Sequence, residues 1–492
     1  MRRIFLSLAL ALVCLLVLAA CGGKSKSNSA TSSGGSGIAG AEFAPASATF
    51  FASVNTDSSS GQWKQAMQLL AKVPALQTGL NDILSSSGVT LAEVEDALGP
   101  ITAIVQLGPS SSPEVFFTNA KDPAKLKALL AKDKTEKSVT EEIDSWVVIS
   151  KTQAAIDEFK TAAESGKLAD DSVYKSAVKG LPADALVRAY FTGEAISGSA
   201  LSSLGSGTTT TAPSSSTTTT APSSTTAKDK VDWVTLAASV VPKGLSFEGV
   251  IQAKNSGANS SLSLIDELPS GASFAVDLNG GSLGLDKAVQ DLRNNSKYGS
   301  QIPQMEAALG ITLDDLATLA GSELSVYGTE SGIGLLVKAT DAAALKTKLD
   351  KALPLLLAQL NGTSKAATVG GVEATQVTFG TTNLYYGVKD GNLFIVTDAN
   401  SLPGDTKLSS DTAYSAAATE LPIPASSLGV AFIDFTKLAA LANSGNAVVT
   451  SLGSSSGLSA NMSNLEGLSS LLGYATANGS KVEFKGLLST TG

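Results

Sequence analysis

The chain of 492 residues contains no histidine and only two cysteines. Without histidine there is no Ser-His-Asp or Cys-His catalysis and no imidazole-bound metal. Cys14 and Cys21 both fall near the amino end, so the body of the chain has no thiol for a disulfide, a zinc site or a nucleophile. Arginine is scarce as well. Beyond Arg2 and Arg3 only Arg188 and Arg293 remain, too few for an ordinary bidentate phosphate clamp. The formal charge is −9, the wrong sign for the basic patch that nucleic acid needs, so no nucleic-acid partner is expected. With no disulfide to help, packing alone must stabilise the fold, which a chain this long supplies when it divides into domains.

What is present begins at the amino end. Residues 4–20 are apolar except for Ser7 and follow Arg2 and Arg3, the layout of a secretory signal. The run is shorter than the roughly 20 apolar residues of a membrane-spanning helix. Leu18, Ala19, Ala20 and Cys21 resemble the lipobox of bacterial lipoproteins. That resemblance implies a signal peptide over 1–20, a diacylglycerol on the Cys21 thiol, and cleavage that makes Cys21 the new amino terminus. It also implies an extracytoplasmic location, lipid-anchored to the outer face of the cell membrane or envelope. Loss of Arg2 and Arg3 with the signal takes the formal charge from −9 to −11. Two acyl chains, at about 0.8 kcal/mol per buried methylene, make a stable anchor. Residues 21–42 are rich in Gly, Ser, Lys and Asn and read as a flexible tether with a root-mean-square reach on the order of 25 Å.

The remainder repeats itself. Residues 88–99 (GVTLAEVEDALG) recur as 310–321 (GITLDDLATLAG). Thr90 and Thr312 stand at helix N-cap positions, with Glu93 and Asp315 three residues on as capping-box partners, and both segments close on a glycine. Upstream, the alternating segment 45–55 matches 269–279. Downstream, strand patterns at 101–107 and 324–327 precede others at 115–117 and 333–337. Asp122-Pro123 starts a further helix. Asp341 starts its counterpart, which Pro354 bends or ends. Gly370-Gly371 and Asp390-Gly391 mark hairpins. Helical turns with Asp171 and Tyr174, or Asp411 and Tyr414, precede strands at 185–191 and 428–433, and the edges LSFEG (245–249) and VEFKG (482–486) match last.

These patterns predict an α+β fold of two tandem homologous repeats, over 43–262 and 266–492. Each is a mostly antiparallel sheet with helices packed on one face. Residues 203–230 carry TTTTAPSS twice and read as a disordered Thr/Ser/Pro insertion in the first repeat.

Several residue sets invite a chemical reading. Ser172 and Lys175 have serine–lysine nucleophile spacing, and Ser444-Gly-Asn446 faintly matches a companion motif. However, no Lys-Thr-Gly follows, and Thr412 and Ser415 replace the pair in the second copy. Residues 277–286 bring Asp277 and Asp286 near glycines but lack the alternating ligands and terminal Glu of a calcium loop, so a turn after a strand explains them better. Glu141-Glu142 and Asp314-Asp315 read as capping or solvated groups. Tyr385 and Tyr386 lie in an alternating strand with one ring on each side, and 353–357 reads as core or as the border of a lipid-sized cavity. No catalytic residue, cofactor site or metal site is assigned.

The proline-led first strand, the repeated Gly-x-Thr-Leu helix and the hairpin 385–396 together resemble bacterial exported proteins grouped as domain of unknown function 3352. That resemblance implies no activity and transfers no functional residues. The expected function is non-catalytic: a lipid-anchored envelope protein that binds a protein partner or ligand, with its membrane contact through acylated Cys21. The alternatives are a carrier of a lipid-like hydrophobic molecule and, with least support, a hydrolase that works without histidine.

Overall fold

The computed structural model describes residues 37–109, 112–132, 138–197, 231–254, 257–283, 285–295, 299–315, 323–359, 362–380, 382–443 and 465–491. Leu18, Ala19, Ala20 and Cys21 lie outside the described residues, as do the Thr/Ser/Pro tract 203–230 and Ser444-Gly-Asn446.

In chain order the amino-terminal half contributes β1 (Phe50–Asn55), α1 (Gly61–Lys72), α2 (Pro74–Ser86), α3 (Leu91–Ala97), β2 (Ile101–Gln106), β3 (Glu114–Thr118) and α4 (Pro123–Lys132). It continues with β4 (Val139–Ile143), β5 (Trp146–Ser150), α5 (Gln153–Glu164), α6 (Ser172–Val178), β6 (Val187–Thr192), α7 (Gly193–Ser197), β7 (Val231–Val241) and β8 (Gly244–Ala253). The carboxy-terminal half supplies α8 (Leu264–Glu267), β9 (Phe274–Asn279), α9 (Leu285–Arg293), α10 (Ile302–Leu309), β10 (Glu323–Gly328), β11 (Ile333–Lys338) and α11 (Ala342–Gln359). Then follow β12 (Thr363–Val369), β13 (Val372–Phe379), β14 (Thr382–Lys389), β15 (Asn392–Val396), α12 (Thr412–Glu420), β16 (Gly429–Asp434), α13 (Phe435–Asn443), β17 (Leu468–Asn478) and β18 (Lys481–Thr490).

The strands form one 18-stranded antiparallel sheet. From one edge the amino-terminal half runs β4-β5-β3-β2-β1-β6-β7-β8. β8 pairs with β18, and the carboxy-terminal half continues β18-β17-β16-β9-β10-β11-β15-β14-β13-β12. The β8–β18 pairing is the seam between the halves.

Local chemistry explains the element ends. Thr90 accepts from the Glu93 N–H while Glu93 reaches back to the Thr90 N–H. Thr312 and Asp315 exchange the same two bonds, at 3.0 and 3.1 Å. Each such reciprocal cap satisfies two orphan donors of a helix start. Asp171 and Asp411 cap α6 and α12 through the backbone N–H groups of Tyr174 and Tyr414. The tight turn at 370–371 has φ of 55° and 78°, and that at 390–391 has 52° and 80°, the left-handed pair that a two-residue hairpin requires. Pro354 does not end its helix, because α11 runs on to Gln359.

Two expectations need correction. Helices do not cover one face of the sheet; they cover both. On one face Phe51, Val105, Phe117 and Val148 pack with α5, α6 and the segment 38–48. On the other, Ala52, Ile104, Phe116 and Ile149 pack with α2, α3 and α4. In the carboxy-terminal half α8 and α12 lie over Tyr327, Phe394 and Phe432, and α11 covers Val337 and Leu393 on the reverse. The physical reason is legible in β5, whose five residues are all buried. A continuous apolar run such as WVVI denotes burial from both sides, whereas a strand with one wet face alternates. The second correction concerns the tether. Ile38 and Ala41, placed there by patterning, are each only 1% exposed and belong to the core.

Candidate functional site

The halves meet where β7 and β8 face β18. Gly244 to Gln252 pair with Ser489 to Lys481, and Glu248 stands directly opposite Lys485 at the midpoint. Their side chains form an ion pair across the seam, with only 21% and 16% of their surface exposed. On the opposite face Phe247 lies across from Gly486 and Phe484 from Gly249. A side chain at 249 would collide with the Phe484 ring at 2.4 Å, so glycine is what allows the aromatic to lie flat there.

Above the Glu248 face of the seam is a groove of about 520 Å³. Its floor includes Ala237, Ser239 and Ser246. One wall is the loop after α6, with Pro182 and Asp184; the other is the end of α12, with Glu420 and Leu421. The glutamine Gln62 at one side is fastened to β7, donating to the Val240 carbonyl and accepting from its N–H. Two of the groove's carboxylates have a cation beside them. Glu248 pairs with Lys485, and Glu420 pairs with Lys243 at 2.6 Å. Burial lowers the pKa of Arg188, an effect that Tyr174 and then Asp184 oppose in part. The groove therefore presents hydroxyls and balanced charge rather than a field of one sign.

A second groove, of about 710 Å³, opens between α11 and the β12–β14 strands. Asp350 organises it, accepting from the Tyr386 hydroxyl at 2.7 Å and the Thr375 hydroxyl at 3.0 Å while pairing with Lys346 at 2.7 Å. Burial, then the bond to Asp350, pushes the Tyr386 phenol up to about 12. Tyr386 and Tyr385 do face opposite sides of the sheet, packing in different clusters.

The residue sets with a chemical look resolve into structure. Ser172 is exposed, and Lys175 turns away to the Asp170 carbonyl at 3.2 Å. Glu141 pairs with Lys160 and Glu142 with Lys127. Asp314 is held by Arg293, and Asp315 caps a helix and pairs with Lys348. Among the described residues no group of three or more His, Cys, Asp or Glu is placed to hold a metal, and no helix is long and apolar enough to cross a membrane.

Asp277 is the residue whose burial and partner sequence reasoning misses. It lies in the strand expected over 269–279, as a fully buried member of β9 next to the buried Glu323 of β10. Asp277 Oδ2 accepts from the Ile265 N–H at 2.8 Å, while Oδ1 has no donor. Glu323 accepts from the N–H groups of Ser263 and Leu264 and pairs with Lys338 at 3.3 Å. Burial and the neighbouring Glu323 push the Asp277 carboxyl up to about 8. At neutral pH it is therefore largely protonated, and a proton on Oδ1 lets that orphan atom donate to Glu323. The only signal in the sequence is a charged residue at an inward position of the alternating segment FAVDLN.

The model of a family described as "Protein of unknown function (DUF3352)" matches residues 123–470, more than half of the chain. The chain belongs to that family. The match reaches into both halves, taking in β8 and ending before β18. No curated protein matches. A solved structure titled "Structure of crystal form IV of TP0453" aligns over 42% of this chain and 80% of its own, at 7% identity and a TM-score of 0.24. That likeness is too slight to carry an argument.

Proposed function

We propose that the chain is a lipid-anchored extracytoplasmic binding protein, built from two copies of one α+β unit, that holds its ligand in the groove over the seam. The groove carries this reading. Its volume of about 520 Å³ suits a small molecule, and such sites concentrate where structural units meet. The hydroxyls of Ser239 and Ser246, beside carboxylates already neutralised by Lys485 and Lys243, favour a neutral polar ligand. The lipobox resemblance at Leu18 to Cys21 supports the anchor. No catalytic role is proposed.

The duplication rests on matching order. From the seam outward one half reads β8-β7-β6-β1-β2-β3-β5-β4, and the other places strands of the same rank in the same order, with the hairpin β12–β13 added at its edge. Even isolated bridges correspond, Pro45 with Lys167 and Pro269 with Lys407. The 18 strands exceed the roughly 10 that one twisted open sheet usually reaches, which favours two units joined edge to edge. The crossed Phe–Gly pairs of the seam are the reciprocal contacts of a two-fold interface.

A second reading, carriage of a lipid-like molecule, is favoured by a difference between the halves. Ile104 on β2 is 8% exposed, whereas Val326, at the same register on β10, is 39% exposed and sits among half-buried Val276 and Leu335. An apolar strip left open on the sheet face suits the floor of an acyl-chain site.

Native mass spectrometry of the protein extracted from its own envelope tests both readings. A polar adduct lost in Ser239→Trp supports the groove. An acyl-chain adduct that survives that change supports the carrier. Protein with no adduct contradicts both. For the anchor, Cys21→Ser is expected to leave the membrane fraction; retention there, with no acyl mass on the wild type, refutes it.

A further inference from the structure

The seam carries information about what it will pair with. This inference rests on the duplication proposed above. When 245–249 is matched with 482–486, Glu248 and Lys485 occupy the same place in the two copies. They also stand opposite one another at the midpoint of the nine-residue β8–β18 register. The axis relating the copies therefore passes through this pair. In a symmetric pairing of two identical edges, the residue on the axis meets itself. Two amino-terminal edges would bring Glu248 against Glu248, and two carboxy-terminal edges Lys485 against Lys485.

Like charges directly opposite on neighbouring strands are destabilising, and here both side chains are about four-fifths shielded from water, where screening is weak. The flanking contacts do not discriminate in this way. Phe247 over Gly486 and Phe484 over Gly249 are interchangeable between copies. A second cation–anion contact adds to the asymmetry. Lys243, on the turn between β7 and β8, reaches Glu420 of the other half, while the position matching Glu420 is Gly180, which has no side chain.

We propose that the seam is an interface selective for unlike units: the Glu248–Lys485 pair admits one amino-terminal and one carboxy-terminal edge and rejects pairing of like edges. The partner such an edge fits, besides its own chain, is the complementary half of a second copy of this chain. Every edge that carries Glu at the axis is matched by one that carries Lys, so exchange of halves between two chains satisfies both seams.

Full-length chains with reversed charges test this. Glu248→Lys and Lys485→Glu each place like charges on the axis, and each is expected to lower the thermal midpoint by roughly 2–4 °C. The double variant restores the pair in reverse and is expected to recover most of that loss. The decisive arm mixes the two single variants, unfolds them together and refolds them. Neither has a matched seam alone, but exchange of halves gives two matched seams, each setting one lysine against one glutamate. Light scattering is expected to show a dimer in the mixture and monomers in each variant refolded alone. Single variants as stable as the wild type, a double variant no better than the sum of the singles, or a mixture that stays monomeric would each overturn the proposal. Any of these would leave the duplication standing, because the Phe–Gly pairs and the strand order are untouched by the reversals. A collapse of single variants with a folded double variant supports it.

Discussion

Asp277→Asn is expected to stabilise the protein at neutral pH and to flatten its pH dependence. In the native state the Asp277 carboxyl is buried beside Glu323 and titrates at about 8, against an ordinary value of 3.8. The sign follows from that direction. Below about pH 4 the group is protonated in both folded and unfolded chains and carries no penalty. As pH rises from about 4 to 8 the unfolded chain loses the proton while the folded chain retains it, so stability falls, and the loss levels off above about 8. The slope is at most about 1.4 kcal/mol per pH unit, giving a penalty on the order of 4 kcal/mol at pH 7. Asparagine keeps the acceptor for the Ile265 N–H and offers a permanent donor to Glu323, so it removes the titration while retaining the geometry. Urea denaturation of wild type and variant at pH 5, 6, 7 and 8 reads the effect directly. The wild type should weaken across the series and the variant hold steady, the two diverging as pH rises. Parallel pH profiles would refute the reasoning, as would a variant less stable than wild type at pH 8.

Two further changes probe the fold. Ile104→Ala, in the fully covered face of the amino-terminal half, is expected to cost about 2–4 kcal/mol, whereas Val326→Ala, at 39% exposure, should cost under about 1 kcal/mol; equal losses in urea midpoints would show that the strip is as closely covered as its counterpart. Thr90→Ala removes the acceptor for the Glu93 N–H and half of the reciprocal cap, and should cost about 1 kcal/mol in the same assay.

The parts of this structure legible in the sequence are those decided by neighbours in the chain. Thr90 with Glu93, Thr312 with Asp315, and the Gly370-Gly371 and Asp390-Gly391 turns follow from local hydrogen bonding and left-handed backbone conformations. What is not legible depends on distant partners. WVVI in β5 signals burial from both sides, but nothing local shows that α5 supplies one cover and α4 the other. Asp277 falls in an alternating strand segment, but nothing local reveals that Glu323 and the Ile265 N–H converge on it. The groove is invisible for the same reason. LSFEG and VEFKG are recognisable as similar edges, yet only the pairing of β8 with β18 brings them together, sets Glu248 against Lys485, and leaves Ser239 and Ser246 on the floor of a cleft between α6 and α12.

The central claim is that the groove over the seam is a binding site. Its most direct test is the native mass spectrum of wild type and Ser239→Trp, purified side by side from the membrane and compared for bound mass. The account predicts a small polar adduct on the wild type that is absent from the variant, with both proteins folded. An adduct of equal occupancy on both proteins, or on neither, would contradict it.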